Sequence, residues 1–312
     1  MERLNASLKQ DVFTLSALLQ AGFRYSFKDD SFQGGRTFEA ANARLGISGQ
    51  LDNGFFYKIL FNLVKEPNLL DAYIGYQVND VLNIKAGVIK PFQTLDFIPD
   101  PGSTDFIDRA QITGLLIQSR EIGVSAEGEI DRLYFFTGFF NGNRQFNSNN
   151  DNKFYGIGRI QYHFEEVFNG SLRVAIQGSH GYSNGVRSGI TGPVLRGKRT
   201  IYGADLRWES ERYIIASEFT EGLLETVYIP DDKEVITGYY ITAGYKALEK
   251  THFLLRWQSW AYKDRNIRDN QISFGINHTF TGAASFQFGF DSYFPENGDN
   301  QNGISLLLQM KF

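Results

Sequence analysis

Much of what marks other protein classes is missing from this chain of 312 residues. It contains no cysteine, so it can form neither a disulfide framework nor a thiolate metal site. Its histidines are His163, His180, His252 and His278, and no two of them have the i, i+4 spacing of a zinc-binding helix. The net charge is -4 and no long basic run occurs, so nothing favours a nucleic-acid partner. These absences predict a protein without metal, cofactor or nucleic acid.

Long hydrophobic runs are absent as well. No stretch approaches the ~18 to 20 continuous apolar residues that a membrane helix requires, which excludes a helical membrane protein. The first residues, MERLNASLKQDVF, do not combine a positive segment with an apolar one, so we expect a signal peptide to be missing from this sequence if the protein is exported. What the chain does contain is 28 Phe, 16 Tyr and 32 Gly, a composition that indicates many short strands.

Apolar and polar residues alternate along most of the chain. In ASFQFGFDSYF, residues 284–294, all four phenylalanines fall on one face of a strand, whereas Gln287 and Asp291 fall on the other. Sixteen segments follow this pattern, and we predict strands at 13–27, 37–51, 54–64, 68–79, 82–92, 121–130, 132–142, 152–164, 171–183, 198–210, 213–225, 234–248, 251–264, 270–282, 284–294 and 302–312.

The connectors between these segments alternate in length. Those after even-numbered strands are tight, as at Asp52-Asn53, Asp131, Ser210-Glu211 and Gly282-Ala283. Those after most odd-numbered strands are longer, as at 28–36, 93–120, 143–151, 184–197 and 295–301. Strand interiors contain no proline, as ladder hydrogen bonding requires. All seven prolines lie at or within connectors at the longer end: Pro67, Pro91, Pro99, Pro101, Pro193, Pro230 and Pro295.

An even strand number with short turns at one end and long loops at the other is typical of a bacterial transmembrane β-barrel. A soluble β-sandwich or propeller would need a second apolar layer, and the second face of each strand is too polar to supply one. Lipid can cover the apolar face instead, and the sheet must then close on itself, because lipid satisfies no backbone polar group. We predict an all-β fold: one outer-membrane barrel domain over residues 1–312 with 16 antiparallel strands, short periplasmic turns, long extracellular loops and an infolded third loop.

The outward face near the short turns is rich in aromatic residues. We predict an aromatic girdle at the inner membrane interface, formed by Phe164, Trp208, Tyr213, Tyr245, Phe253, Phe280, Phe286 and Phe312. Phe312 is the last outward residue of the last predicted strand. A terminal aromatic residue after alternating apolar residues resembles the signal that the outer-membrane barrel assembly machinery reads, so we predict that Phe312 is an assembly signal.

The inward face carries most of the charge. The predicted pore-lining cations are Arg24, Arg44, Lys58, Lys85, Arg159, Arg173, Arg207, Lys246 and Arg256, with Lys311 at the end of the last strand. The inward acids are Asp71, Glu121, Glu127, Glu129, Asp205, Glu218 and Asp291. A wall this polar requires water, and a barrel of ~16 strands is wide enough for an aqueous channel. The surplus of cations favours a mild anion preference, although a wall of salt bridges, such as Asp205 with Arg207 or Arg256, explains the same residues.

The connector 93–120 is the longest. Its apolar stretch from Ile112 to Ile117 would be poorly placed in solvent, so we predict that this connector folds into the barrel as a constriction loop. It carries Asp96, Asp100, Asp105 and Asp108 against Arg109 and Arg120, and acids facing bases would create a transverse field at the narrowest point. A surface loop that contacts a second protomer is the alternative.

Residues 71–130 resemble the phosphate-selective porin O and P family of bacterial outer membranes. The resemblance lies in DAYIGYQVNDVLNIKAGVIKPFQTLDFIPDPGSTDFIDRA and in the following SREIGVSAEGEI. It implies a sixteen-stranded barrel, usually trimeric, with a basic narrow zone, and Lys85, Lys90, Arg109 and Arg120 match the basic positions around the loop. The chain lacks the dense lysine and arginine cluster that the family carries in that loop.

The function predicted from the sequence is a general diffusion porin that passes small hydrophilic solutes, with a mild anion preference. Lys58, Lys85, Arg44 and Arg256 are expected to set the potential of its wall. Its expected partners are outer-membrane lipid and lipopolysaccharide, the barrel assembly machinery and, as a homotrimer, two copies of itself.

Two other functions compete with the porin. A barrel that serves as a scaffold without conducting is one. An outer-membrane phospholipase is the other, because HGYSNG at 180–185 resembles the His and Ser of that class. A catalytic pair on one strand needs an even spacing, so that both side chains lie on the same face, and His180 and Ser183 are three residues apart. Asn- and Asp-rich connectors could bind Ca²⁺, but no acid spacing matches an EF-hand.

Overall fold

The protein forms a closed antiparallel barrel of sixteen strands. The computed structural model describes residues 13–28, 32–66, 68–117, 120–145, 147–229 and 232–312. Pro67, Pro230, the first twelve residues and parts of the connectors 28–36 and 93–120 lie outside this description. The described prolines lie outside the strands, as predicted, and in the described part of the chain no helix is long and apolar enough to cross a membrane.

The strands follow one another around the barrel in chain order. The first eight are β1 (Thr14–Ser26), β2 (Thr37–Gln50), β3 (Phe55–Asn62), β4 (Leu69–Gln77), β5 (Leu82–Ile89), β6 (Glu121–Ile130), β7 (Leu133–Phe140) and β8 (Tyr155–Val167). The second eight are β9 (Gly170–Arg187), β10 (Val194–Ser210), β11 (Tyr213–Thr226), β12 (Glu234–Leu248), β13 (Thr251–Tyr262), β14 (Ile267–Thr279), β15 (Ala284–Phe294) and β16 (Gln301–Lys311). In the described residues, one α-helix, α1 (Gln111–Leu116), and one short 3₁₀ turn (Pro101–Ser103) lie in the connector between β5 and β6, and three further 3₁₀ turns lie in other connectors. The predicted fold class is confirmed.

The barrel closes between its first and last strands. β1 pairs with β16 over nine residue pairs, from Leu18 opposite Lys311 to Ser26 opposite Gly303. Ala17 and Phe312 extend this pairing, because each backbone N–H donates to the carbonyl oxygen of the other, at 3.2 and 2.9 Å. Each of the sixteen described strands therefore has a hydrogen-bonded neighbour on both sides.

Most predicted strands differ from the observed ones by no more than three residues at each end. The largest difference is at β9 and β10, where the connector predicted at 184–197 shrinks to 188–193. The ladder continues past a bulge to Val194 opposite Arg187. Gly185 and Gly197 have φ of 75° and 136°, a region that favours glycine, and this allows the irregular pairing.

The two faces of the wall differ as the alternation predicted. Large apolar side chains are exposed all around the outside, among them Leu15, Ile74, Val124, Phe139, Ile176 and Leu255. Near the short turns the exposed outer residues include aromatic ones: Phe164, Tyr213, Tyr245, Phe253, Phe280 and Phe312. The other two predicted girdle residues are half-buried, and the Trp208 indole donates to the Val167 carbonyl oxygen at 2.7 Å. Hydrocarbon is the medium in which such an outer surface is stable.

The inner face contains buried charges held in direct pairs. The Arg159 guanidinium is fully enclosed and donates two hydrogen bonds to Asp205, at 2.6 and 2.9 Å. It also donates to the carbonyl oxygen of Gln93, at 2.6 Å, and so joins β8 and β10 to the connector that follows β5. The suggested pairing of Asp205 with Arg207 or Arg256 was wrong, because Arg159 on β8 reaches the carboxylate and the other two arginines have different acidic partners.

We predict that Arg159→Met destabilises the barrel by about 3 to 5 kcal/mol, because it leaves the buried Asp205 carboxylate without a counter-charge. Urea unfolding in lipid vesicles, followed by tryptophan fluorescence, measures this loss. Arg173→Met is the matched control, since Arg173 also lies on an inward position but is exposed and forms no ion pair with any described residue. Equal losses in both variants would contradict the prediction.

Candidate functional site

The connector from Lys90 to Arg120 runs through the inside of the barrel, and we call it the inner loop. Its residues 118–119 lie outside the description. Phe92 packs against Tyr134 and Phe136 of β7, while the rest of the inner loop crosses to the opposite wall. Irregular backbone is stable at this depth only because protein and water, rather than lipid, surround it.

Each carboxylate of the inner loop lies against a cation. Asp96 accepts from Arg256 at 3.0 Å, Asp105 from Arg207 at 2.6 Å, and Asp108 from Arg24 at 2.6 Å. Asp100 lies 3.4 Å from Lys90, which belongs to the same loop. The four acids predicted to face bases at the constriction therefore meet them in direct ion pairs, and three of these pairs fix the inner loop to strands β13, β10 and β1.

Neutral amide side chains of the wall hold the backbone of the same loop. Gln258 accepts from the Gln111 N–H at 2.8 Å. Three further glutamine side chains donate to backbone carbonyl oxygens of the loop. Gln287 donates to that of Thr104 at 2.9 Å, Gln309 to that of Gly102 at 3.0 Å, and Gln20 to that of Pro101 at 3.1 Å. These bonds fix the inner loop to four further positions, on β13, β15, β16 and β1.

Helix α1 fills part of the lumen with apolar side chains. Ile112, Leu115 and Leu116 pack in one buried cluster with wall residues of β9 to β13, among them Leu195, Ile201, Leu224, Ile236 and Tyr240. Two inward glycines make room for the helix: a Cβ on Gly222 would lie 2.7 Å from Leu116, and a Cβ on Gly238 would lie 2.9 Å from Ile112. The β9–β13 side of the lumen is therefore occupied by a hydrophobic core.

The other side of the lumen contains a cavity of about 900 Å³. Its wall comes from β1 to β4 and β16, and its remaining boundary comes from the inner loop and from the connectors after β3, β7 and β9. We call this space the lumen cavity. Seven cations and three carboxylates line it, a surplus of four positive charges: Arg24, Arg44, Lys65, Lys90, Arg109, Arg120 and Arg144 against Glu39, Glu66 and Asp108.

Two of the carboxylates balance two of these cations. Arg24 donates to both Asp108 and Glu39, and Glu39 also lies 3.6 Å from the Lys65 ammonium. Arg44, Arg109 and Arg144, by contrast, form no ion pair with any described residue. Arg120 donates through Nε to Asp71 at 2.7 Å, an acid that Lys58 also contacts at 3.3 Å. The positive potential of the lumen cavity therefore comes from Arg44, Arg109, Arg120 and Arg144.

Lys90, one of the seven cations that line the lumen cavity, adds to this potential when it is protonated. Its ammonium donates to the carbonyl oxygens of Ile98 and Pro99, at 2.8 and 3.1 Å, and lies 5.0 Å from the centre of the Phe97 ring. Burial lowers the pKa of Lys90 to about 7, with Arg109 and Arg120 lowering it further and Asp100 raising it. Burial also holds the pKa of Arg109 below its usual value, and the nearby Arg120 acts in the same direction. Lys90 is therefore able to change charge near neutral pH.

The predicted pore-lining residues fall into two groups. Arg24, Arg44, Arg109 and Arg120 line the lumen cavity, together with Asp108. The other predicted cations lie elsewhere on the inner wall. Arg173 is exposed there and forms no ion pair with any described residue. The remaining six each pair with a carboxylate: Lys58 with Asp71, Lys85 with Glu127, Arg159 with Asp205, Arg207 with Asp105, Lys246 with Glu209 and Arg256 with Asp96. Of the four residues expected to set the wall potential, only Arg44 lacks such a partner.

Sequence reasoning missed Arg144 and Lys65 as lining residues. Both lie in connectors, where the two-residue alternation that identified the inward strand positions gives no signal. Arg144 has a φ of 68°, and its side chain donates to the Gly189 carbonyl oxygen at 2.8 Å, which holds the β7–β8 connector over the cavity. Arg144 belongs to one of the Asn- and Asp-rich connectors that were considered only as candidate Ca²⁺ sites.

The His–Ser pair considered for catalysis is split between the two faces. His180 is exposed on the outside, where its Nδ1 lies 2.8 Å from the hydroxyl of Thr200. The Ser183 hydroxyl is buried and donates to the Gly142 carbonyl oxygen at 2.5 Å. In the described part of the chain, no group of three or more His, Asp or Glu side chains is arranged to hold a metal ion.

Comparison with protein families gives one match. Residues 13–165 match the model of the family described as phosphate-selective porin O and P, which confirms the resemblance found at residues 71–130. A search among curated proteins finds no match.

Solved structures of outer-membrane barrels share the fold at low sequence identity. OmpT of Vibrio cholerae, in a trimer form, aligns with a TM-score of 0.73 at 13% identity, over 96% of this chain and 99% of that one. An anion-selective porin from Comamonas acidovorans aligns with a TM-score of 0.72 at 11% identity, again over 96% and 99%. OprB of Pseudomonas putida aligns with a TM-score of 0.72 at 10% identity, over 99% and 96%.

We predict that Gly238→Val increases single-channel conductance, because a side chain at this position would collide with Ile112 and displace α1 from the wall. Recordings in planar lipid bilayers measure the step size. Gly158→Val is the matched control: a Cβ there lies on the outer face with no neighbour closer than 3.9 Å, so its conductance should equal that of the unmodified protein. Unchanged steps in Gly238→Val would mean that α1 does not limit the current.

Proposed function

We propose a function from the premise that this chain is an outer-membrane porin, whose residues 13–165 match the phosphate-selective porin O and P family. The lumen cavity is then the narrow part of a diffusion path for small anionic solutes. Transport is passive and needs no cofactor. The barrel is integral to the outer membrane, and the inner loop sets the size limit of the path.

The observation that carries this proposal is the surplus of cations without acidic partners around one cavity. In most of the inner wall each cation is balanced by a carboxylate within 4 Å, so those pairs contribute little net field to a passing ion. Arg44, Arg109 and Arg144 have no such partner. An anion that enters the lumen cavity is therefore attracted, and a cation is repelled.

A scaffold barrel that conducts nothing is the second candidate. The filled β9–β13 side of the lumen supports it, since the hydrophobic core around α1 leaves only one side of the barrel open. Steady open steps in planar bilayers support the porin, and a silent reconstituted barrel supports the scaffold. We propose no enzymatic activity, because His180 and Ser183 point away from each other across the wall.

The partners that we propose follow from the outer surface. Outer-membrane lipid and lipopolysaccharide cover the exposed apolar side chains. A homotrimer is in line with the trimer form in which the similar OmpT structure was solved. Phe312, a residue that is 64% exposed beside the β1–β16 pairing, is accessible to the barrel assembly machinery as its recognition signal.

The first prediction of this proposal concerns selectivity. In a KCl gradient, the reversal potential of the unmodified channel should indicate chloride over potassium. Arg44→Gln and Arg109→Gln should each lower the permeability ratio a few-fold, because a unit charge about 5 Å from an ion contributes roughly 1 kcal/mol in water. Arg132→Gln, which removes an exposed charge paired with Glu165 at a short turn, should leave the ratio unchanged. Cation selectivity of the unmodified channel would exclude an anion path.

The second prediction concerns pH. Since the pKa of Lys90 is about 7, its ammonium is charged below pH 7 and loses its proton above it, so anion selectivity should fall a few-fold between pH 6 and pH 8. No histidine lines the lumen cavity, and Asp100, whose pKa is lowered, stays charged throughout. Lys90→Arg keeps the charge and should remove the pH dependence while retaining selectivity. A pH dependence that persists in Lys90→Arg would assign it to another group.

A further inference from the structure

We propose that the lumen cavity binds an anionic sugar, with its carboxylate or phosphate group on Arg109 and Arg120 and its hydroxyl groups on the amide side chains of the cavity. This inference rests on the proposed function, since it assumes that solutes pass through this cavity. It adds a solute class, an organic acid rich in hydroxyl groups, to the general preference for anions.

The first observation is a pair of unused guanidinium donors. Arg109 donates through Nη2 to the Pro99 carbonyl oxygen at 2.6 Å, but its buried Nη1 has no hydrogen-bond partner. Arg120 is only 9% exposed, and its Nη2 is likewise buried without a partner. Both residues line the lumen cavity. An oxyanion would accept from both groups through charge-assisted bonds, which are stronger than those that water offers.

The second observation is a set of amide side chains around the same cavity. Six line it: Gln20, Asn42, Asn62, Asn68, Gln145 and Asn147. Several of their acceptors remain free among the described residues. Gln145 donates to the Leu69 carbonyl oxygen at 3.4 Å and Asn147 donates to that of Asn143 at 2.9 Å, yet neither side-chain oxygen receives a hydrogen bond.

These free acceptors distinguish an organic solute from an inorganic oxyanion. Acetate has only acceptor oxygens, and inorganic phosphate near neutral pH carries only one or two hydroxyl groups, so neither offers the several donors that Gln145, Asn147 and the other amides can accept. A hydroxyl group both donates and accepts, and it can therefore bond to either end of an amide. The combination of guanidinium donors with free amide acceptors matches a solute that carries one acidic group and several hydroxyls.

The size and the remaining lining of the cavity agree with this class. Organic ligands typically occupy pockets of about 300 to 1,000 Å³, a range that includes the lumen cavity at about 900 Å³. Leu70, Phe97, Ile107 and Leu307 also line it, and apolar side chains suit the C–H faces of a sugar ring. A small inorganic ion would contact few of these groups at once.

Current block by defined solutes in planar bilayers tests the inference. Added to the unmodified channel in KCl, glucuronate should reduce the current with a half-blocking concentration at least about tenfold lower than that of glucose, acetate or inorganic phosphate, since it alone uses both sets of groups. Arg109→Gln should weaken the block by glucuronate about tenfold. Gln145→Met should weaken it several-fold while leaving the effect of acetate, which has no hydrogen-bond donor, unchanged. Arg132→Gln is the control outside the cavity.

The outcomes separate this inference from the proposed function. If the channel is anion-selective but phosphate or acetate blocks as well as glucuronate does, the sugar class is wrong and the anion path stands. If glucose alone blocks equally, the arginines do not contribute to binding and the inference is also wrong. Calorimetric titration of the detergent-solubilised unmodified protein with glucuronate gives a reading that does not depend on any variant folding, and an absence of binding heat together with an absence of block overturns the inference.

Discussion

The structure depends on one constraint: no backbone N–H or C=O can face hydrocarbon without a hydrogen-bond partner. Strands satisfy this only if every edge is paired, and here β1 and β16 complete the circle. Once the wall is closed, alternate side chains are divided between lipid and lumen. The polar inner face and the irregular inner loop both follow from that division, because only the inside of the barrel can supply partners for charges and for unpaired backbone.

Charge inside the barrel has two separate uses. The cations of β8, β10 and β13 hold carboxylates in direct pairs, as Arg159, Arg207 and Arg256 do, and these pairs fix the position of the wall and the inner loop. On the β1–β4 side the loop supplies no carboxylate to Arg44, so that charge remains available to a solute. Because the loop runs closer to one side of the barrel, it pairs with inward charges there and leaves a cavity with a net positive charge on the other side.

The sequence was sufficient for the fold and for part of the site. Period-2 alternation identified β6, β12 and β15 to the residue, because each has one lipid face and one polar face. The same pattern could not distinguish Arg44 from Arg159: both are inward arginines, and only the path of the inner loop decides which is enclosed and which lines a cavity. Arg144 gave no signal because connectors have no alternation, and β9 and β10 were predicted too short because glycine-permitted bulges continue the ladder beyond the regular pattern.

The pairing of the first strand with the last has a consequence for the timing of synthesis. The second edge of β1 can pair only after β16 has been synthesised, and β16 begins about 275 residues after β1 ends. At typical rates of translation, this takes roughly half a minute. Until then the nascent sheet has two edge strands with unpaired backbone N–H and C=O groups, and these edges can pair with any other extended chain. A barrel that closes in this way therefore requires both of these edges to be kept from other extended chains until the last strand is available.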